Sequence, residues 1–316
     1  MRLTVVIATR DRKDVLRESL RRYATQSLAD VEIIVVDNGS SDQTHAMLTS
    51  EFPHVRAIRL PDNIGPTALN LAVEQASGDL IFRTDDDAWP ETDNMLERGV
   101  QFMDAHPNID LLAGEVYFVD NGLTYNWYPF PSRTASIPDG GLPVNHFCGA
   151  SVVVRKSVFL KAGGFWDTFY IEESDLSARL IAAGNVLRYV PWFRVCHLTA
   201  FQPSQIASRW LLLSTMPVRF NFRYFPFWRA TGRSAVHMAS QVVMGIWHRT
   251  PPLTFLEGMV GMVAVGLKAW RVERQTLSRE QLRQVTMGEN VWATTWRYYR
   301  FALKRLRTRL NKSNKF

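Results

Sequence analysis

The chain has 316 residues, 46% of them hydrophobic, with 37 Lys/Arg against 30 Asp/Glu. That length and apolar content exclude a disordered chain and allow one or two domains with a sizeable core. Only two cysteines occur, Cys148 and Cys196, which excludes a disulfide framework and favours a reducing compartment.

Leu3–Ala8 is a short apolar, β-branched run that ends in the charged Arg10-Asp11-Arg12-Lys13-Asp14. It is too short for a secretory signal and reads as a strand buried on both faces. Asp14–Ser27 follows with Val15, Leu16, Leu20 and Tyr23 at helical spacing. Val31–Asp37 and Val55–Leu60 repeat the strand pattern. Pro66–Ala76 predicts a helix, with Pro at its first position, Leu69, Ala72, Val73 and Ala76 on one face, and Gly78 beyond its end. Asp79–Thr84 is the fourth strand-like run. Strands alternating with helices imply an α/β fold, a mostly parallel sheet covered by helices, with right-handed crossovers. Such sheets bind ligands at the carboxyl ends of their strands.

Those ends are polar throughout: Thr9-Arg10-Asp11-Arg12, Asp37-Asn38-Gly39-Ser40, Asp62-Asn63-Ile64-Gly65, and Asp85-Asp86-Asp87. Each has an ordinary reading as turn or helix-start chemistry; their convergence on one sheet edge favours a ligand. Three adjacent carboxylates repel one another, and hard divalent ions such as Mg2+ or Mn2+ prefer oxygen ligands. No G-x-G-x-x-G follows the first strand and no G-x-x-x-x-G-K-[ST] occurs, which counts against a dinucleotide dehydrogenase and a P-loop hydrolase.

Farther along, Gly149–Arg155 reads as a strand, Ser157 opens a short helix that ends near Gly163-Gly164, and Phe165–Tyr170 is an aromatic loop. Glu172–Ala183 is a helix that places Glu172, Asp175 and Arg179 on one face. An acidic first turn and an Asp175–Arg179 pair are also what a helix dipole would favour. His197 comes after a strand at Val186–Val190 and Pro191-Trp192. A lone histidine there is more often structural than a ligand, although imidazole suits Mn2+ or Zn2+.

Residues 201–316 hold 19 Lys/Arg and 4 Asp/Glu, leaving 18 and 26 for residues 1–200. This basic region is helical and aromatic. Trp292, Trp296, Tyr299, Leu303, Leu306 and Leu310 repeat at helical spacing among arginines, a pattern that suits an anionic membrane surface or packing on the first domain. Ala235–Trp247 is short, and Leu253–Trp270 contains Glu257, Lys268 and three glycines, so neither is expected to span a membrane.

Val5–Arg12, Ile33–Asp42, Asn63-Ile64-Gly65 with Asn70, Gly78-Asp79 leading to Asp85-Asp86-Asp87, Gly163-Gly164-Phe165, Glu172–Leu176, Arg179 and His197 together resemble a family-2 glycosyltransferase of the inverting, GT-A type. The resemblance covers roughly residues 1–200. It implies a Rossmann-like catalytic domain over 1–200, with a nucleotide-sugar half near 1–110 and an acceptor half near 111–200, followed by the basic helical region 201–316. It implies a nucleotide pocket lined by Thr9, Arg12, Asp37 and Asn63. Asp85, with Asp86 beside it, would face the ribose or phosphate, and Asp85 and Asp87 would be the outer members of a D-x-D motif. Asp87, with Asp85 and His197, would hold Mn2+ or Mg2+. Glu173 stands where the family has an aspartate base, with Glu172 or Asp175 as alternatives.

The implied reaction moves a hexosyl or deoxyhexosyl unit from a nucleotide-diphosphate sugar to a saccharide or lipid-linked acceptor, in surface polysaccharide or glycolipid synthesis. The enzyme would be cytoplasmic and peripheral on the inner face of an anionic membrane. The competing expectation is a non-catalytic, basic and aromatic membrane- or nucleic-acid-binding protein on the same scaffold. A carboxylate-rich sheet edge disfavours nucleic acid.

Overall fold

The computed structural model describes residues 2–119, 137–168, 170–198, 210–247 and 250–286. The chain divides into two compact units, Met1–Phe201 and Gln202–Phe316.

The first unit begins with the expected alternation. β1 (Leu3–Thr9), β2 (Glu32–Asn38), β3 (Arg56–Leu60) and β4 (Leu80–Asp85) are joined by α1 (Lys13–Tyr23), α2 (Thr44–Glu51) and α3 (Ala68–Gln75). The Pro66 start is a single 3-10 turn, Gly65–Thr67, that feeds α3. α2 carries Met47 and Leu48 into the core, too few apolar residues for a sided pattern in the sequence. β5 (Ala88–Pro90), α4 (Met95–Ala105), β6 (Leu111–Phe118), β7 (Leu142–Pro143), β8 (Val152–Arg155), α5 (Lys156–Lys161), α6 (Glu172–Ala182) and β9 (Leu187–His197) complete the unit.

The sheet order is β3-β2-β1-β4-β8-β6-β9-β5, with β7 on β9. The β3-β2-β1-β4 half is parallel, and β6 also runs parallel to β9; β8, β5 and β7 pair antiparallel. β1, β2 and β4 are largely buried on both faces, as expected, whereas β3 at the sheet edge exposes Arg56 and Arg59 and is only half-buried. Register decides where chemistry can gather. Thr9 lies opposite Asp37 on β2, and Ala8 opposite Asp85 on β4, so three strand ends finish in one row. The core beneath is Val5, Ile7, Leu16, Leu20, Val35, Phe82, Val153 and Phe193, all nearly inaccessible. Phe82 meets Phe193 edge to face at 5.5 Å.

Two elements differ from their sequence reading. The strand expected over Gly149–Arg155 starts only at Val152, because Ser151 N–H turns back to the Cys148 carbonyl at 3.1 Å. The strand expected to end at Val190 continues to His197. Gly114 pairs with Val190 but Glu115 with Arg194, so Pro191, Trp192 and Phe193 bulge out of the ladder. Proline has no N–H to give a ladder and is tolerated at such a bulge. Gly114 makes the bulge possible, since a Cβ there would sit 1.9 Å from the Phe193 carbonyl oxygen. Arg194 then re-anchors the strand on Glu91 at 2.7 Å and Glu115 at 3.1 Å.

The second unit contains α7 (Trp210–Tyr224), α8 (Phe227–Trp247), α9 (Pro252–Val272) and α10 (Arg279–Thr286). α9 lays Gly258, Met262, Gly266 and Ala269 inward. Its glycines allow close approach to α7: a Cβ on Gly258 would lie 2.6 Å from Trp210 Nε1, and one on Gly266 3.0 Å from Phe222. Glu273 accepts from Arg219 at 2.8 Å beyond the end of α9. The opposite face exposes Leu253, Leu256, Val260, Val263 and Leu267. By length and composition alone, α9 is long and apolar enough to cross a membrane. The amphipathic pattern of Trp292–Leu310 lies outside the described residues.

Gly39 shows how tightly the strand-end loops are set. It sits at φ +79°, and a Cβ on it would lie 2.8 Å from the Asp62 carbonyl carbon. Asn38 beside it bridges the same two loops, accepting from Ile64 N–H at 2.9 Å and donating to the Gly65 carbonyl at 3.1 Å. Gly39→Ala is therefore expected to cost about 1–3 kcal/mol, measured as a lower urea midpoint for the full chain.

Candidate active site

Asp85 ends β4, and Asp86 and Asp87 form the turn into β5. β5 pairs with the far end of β9, with Ala88 opposite His197. Leu198 N–H donates to the Asp87 carbonyl at 3.0 Å. Continuing β9 past its bulge is thus what delivers the histidine. His197 Nδ1 lies on the Leu198 carbonyl, which can only accept, so Nδ1 carries the proton and Nε2 faces the carboxylates. Nε2 is 3.4 Å from Asp85 Oδ2 and 3.3 Å from Asp87 Oδ1. Burial opposes protonation of His197, but the hydrogen bond to Asp85 and the charges of Asp87 and Asp85 raise its pKa.

Asp86 turns the other way. Its carboxylate accepts from Thr9 Oγ1 and from Arg12, each at 2.7 Å, and its carbonyl accepts from Ser19 Oγ at 2.8 Å. Arg12 also reaches Asp87 Oδ2 at 2.7 Å. Burial, only partly offset by Arg12, pushes the Asp86 carboxyl up to about 7. In this arrangement Thr9, Arg12 and Asp86 brace the turn that carries Asp87. Asp87 is 2% exposed and Asp85 33%, so Asp85 is the accessible member of the triplet.

Asp37 closes the β2 end. Its Oδ1 accepts from Ser40 N–H at 2.9 Å. Its Oδ2 is buried and has no hydrogen-bond partner among the described residues, a departure from the usual pairing of buried polar atoms. Asn63 is exposed and caps its own loop through Gly65 N–H at 3.0 Å, so its side chain does not join the triplet. Asp11 laces the first two loops together by accepting from Ser41 N–H at 2.7 Å.

A second acidic group approaches from α6. Gly164 and Phe165 are fixed from below by Asn70, which donates to the Phe165 carbonyl and accepts from its N–H, both at 2.8 Å. Tyr170 then takes φ +75°, a costly conformation for an aromatic residue, just before Glu172 and Glu173 open the helix. Burial and their mutual repulsion raise the Glu172 pKa; burial, with Asp85 nearby, raises that of Glu173. Asp175 belongs elsewhere. It is 1% exposed and bound to Arg179 at 2.9 Å, and Arg179 also donates to the Gly164 carbonyl at 2.7 Å and stacks over Trp166. Asp175 secures the loop and is a poor choice of base.

Arg83 links the two groups and was not singled out from sequence. Its Nη1 lies 2.9 Å from Asp85 Oδ1 and 3.8 Å from Glu173 Oε1. Although burial alone would raise it, Arg83, with His197 and Arg12, holds the Asp85 carboxyl well below the usual carboxylate range. A signal was present: an arginine directly after the apolar run Leu80-Ile81-Phe82, in the same strand, must find counter-charge when the strand is buried.

The donor set suits a divalent cation. One oxygen each from Asp85 and Asp87 and one nitrogen of His197 lie within 4.8 Å of one another. Two hard oxygens and an imidazole whose Nε2 is turned toward them match Mn2+ or a similar ion. Such an ion would supply charge neutralisation to a bound diphosphate.

Comparison with known proteins agrees with this geometry. Residues 4–163 match the family described as glycosyl transferase family 2, and the chain belongs to that family. An uncharacterised glycosyltransferase of Haemophilus influenzae is 27% identical over 200 residues, 59% of this chain and 64% of that protein. The N-acetylglucosaminyl-diphospho-decaprenol L-rhamnosyltransferase of Mycobacterium tuberculosis is 29% identical over 216 residues, 56% of this chain and 70% of that one. The fold resembles S. aureus TarS 1-349 in complex with UDP-GlcNAc, with TM-score 0.56 at 14% identity, covering 90% and 92% of the two chains. It also resembles the Pyrobaculum calidifontis mannosyltransferase PcManGT in complex with GDP-Man and Mn2+, with TM-score 0.53 at 16% identity over 91% and 79%. The mixed α/β fold is therefore of the GT-A type.

A metal on His197 must displace a proton that Asp85 and Asp87 hold to a higher pH than in free imidazole. Mn2+ affinity, measured by calorimetry, is expected to rise as pH rises through that elevated pKa and to fall below it. His197→Ala should weaken binding and flatten this dependence.

Proposed function

We propose that the protein is a metal-dependent, inverting glycosyltransferase that moves a hexosyl or deoxyhexosyl unit from a nucleotide-diphosphate sugar to a hydroxyl of a saccharide or lipid-linked acceptor. The observation that carries this reading is the meeting, across one arginine, of an Asp85–Asp87–His197 cation site and an acidic helix start at Glu172-Glu173. A donor diphosphate needs the first; an acceptor hydroxyl needs the second.

The acceptor oxygen attacks the anomeric carbon, the bond from that carbon to the phosphate oxygen breaks, and the hydroxyl proton passes to Glu173. One in-line displacement inverts the anomeric centre, so no protein nucleophile is needed. A divalent cation held by Asp87, Asp85 and His197 would offset the charge that grows on the diphosphate. Asp37, through its unpartnered Oδ2, accepts from the nucleotide base. Asp85, the more exposed aspartate, faces the ribose or phosphate. Glu173 is preferred to Glu172 as base because it alone approaches Arg83 within 4 Å, and to Asp175 because Arg179 occupies that carboxylate.

The relatives support a role in surface polysaccharide or glycolipid synthesis. Besides the rhamnosyltransferase, an amylovoran biosynthesis glycosyltransferase of Erwinia amylovora is 24% identical over 196 residues, 59% of this chain and 71% of that protein. For a lipid-linked acceptor, the basic second unit with its exposed α9 face would suit peripheral attachment to an anionic membrane, which we place on the cytoplasmic side as part of the same proposal.

Titrating UDP, GDP and dTDP with and without Mn2+ is expected to show metal-enhanced binding of one nucleotide; no binding of any would sink the reading. Among the matching sugar nucleotides, one should be turned over only with metal. Glu173→Gln should lower kcat by about a thousandfold, within the usual range for a lost general base, with donor affinity nearly unchanged. Wild-type turnover in that variant would move the base elsewhere, first to Glu172. The full chain should sediment with anionic liposomes and much less with neutral ones, and Leu256→Glu with Val260→Glu should reduce the bound fraction several-fold.

A further inference from the structure

We propose that Arg83 is a positioning residue for Glu173, fixing the base relative to the Asp85 end of the donor site, and that Gly149 is the residue that makes room for it. The proposal rests on the glycosyltransferase reading above and adds residues to it that no sequence motif supplied.

Arg83 leaves β4 two residues before Asp85 and is 12% exposed. A guanidinium does not lose its proton in a protein, so a buried one must be met by counter-charge. Here a single nitrogen, Nη1, meets both Asp85 Oδ1 at 2.9 Å and Glu173 Oε1 at 3.8 Å. Nε is buried without a hydrogen-bond partner among the described residues, so nothing recorded at that atom competes for the side chain's direction. Asp85 is fixed by its strand. Glu173 stands at the start of a helix behind a loop with a left-handed tyrosine. The shared guanidinium therefore refers the position of the helix-borne carboxylate to the strand-borne one.

Position 149 shows that this space is reserved. A Cβ on Gly149 would lie 1.6 Å from Arg83 Nη1 and 2.6 Å from Glu173 Oε1. The φ of Gly149 is not in the left-handed region, so backbone freedom does not call for glycine there; the volume of a methyl group does. The turn Cys148–Ser151 that replaces the expected start of β8 brings this backbone against the pair. The Gly149 amide also supports the Glu173 carboxylate. Arg83 itself touches neither the acceptor oxygen nor the anomeric carbon in this scheme. Its effect passes through Glu173.

A double-mutant cycle tests this, with kcat and KM measured on the sugar nucleotide that the wild type turns over, and Mn2+-dependent affinity for the corresponding nucleoside diphosphate measured by calorimetry. Arg83→Met is expected to lower kcat at least a hundredfold, while KM for the donor and the nucleotide affinity change by no more than about tenfold, since His197 and Arg12 still face Asp85. In a Glu173→Gln background the same substitution should cost less than about threefold, because residues that act as one unit are not additive. Gly149→Ala should reproduce the kcat loss without Arg83 being changed. If Arg83→Met does not fold, Gly149→Ala carries the same cycle against Glu173→Gln. The proposal is overturned if the losses multiply, or if nucleotide affinity falls along with kcat, which would assign Arg83 to the donor site alone. If Glu173→Gln is itself fully active, the assignment of the base fails first, and the cycle separates that outcome from a failure of Arg83.

Discussion

The structure depends on how it neutralises a concentration of negative charge. Asp85, Asp86, Asp87, Glu172 and Glu173 converge beside one sheet edge, and four of the five are almost inaccessible or in the first turn of a helix. In water these groups would repel modestly; in a low-dielectric edge their repulsion and desolvation are costly. Arg12 answers Asp86 and Asp87, Arg83 answers Asp85 and Glu173, and His197 closes the remaining angle between Asp85 and Asp87. The compensation is divided so that Asp86 is spent on structure while Asp85 and Asp87 keep an oxygen each turned toward the histidine. A site left partly short of positive charge is one that would suit a cation.

The surrounding fold can be understood as the means of holding that arrangement. Parallel strands end in register, which lines up Thr9, Asp37 and Asp85. The bulge at Pro191–Phe193, made possible by Gly114 and re-anchored by Arg194, lets β9 reach the edge a second time. The Asp175–Arg179 pair and Asn70 hold the Gly164–Phe165 turn in place, and so set where α6 begins. Carboxylates that looked equivalent as letters differ in which cation each one meets.

The second unit follows a different logic. α7 and α9 approach closely through glycine positions and leave a continuous apolar stripe on the outer side of α9. Its net positive charge contrasts with the acidic catalytic unit. Acidic and basic residues are thus largely separated by unit.

The sequence by itself determined a good deal. Apolar β-branched runs with polar ends predicted β1 to β4 within a residue or so; β1, β2 and β4 are mostly apolar because both their faces are buried, while β3 at the edge tolerates Arg56 and Arg59. The same pattern located the polar edge, and the D-x-D spacing with Glu173 and His197 identified the family. Tertiary structure alone decided the rest. Val186–Val190 could not announce that β9 resumes after Pro191, since the compensating cavity at Gly114 lies about seventy-five residues away in sequence, a distance no local pattern spans. Asp175, Glu172 and Glu173 share one helical turn and read alike until the fold set Arg179 on Asp175 and Arg83 near Glu173. Gly149 and Arg83 carried no motif at all. Local propensity and periodicity record only neighbours along the chain, whereas charge compensation and excluded volume depend on which distant residues the fold brings within a few ångströms.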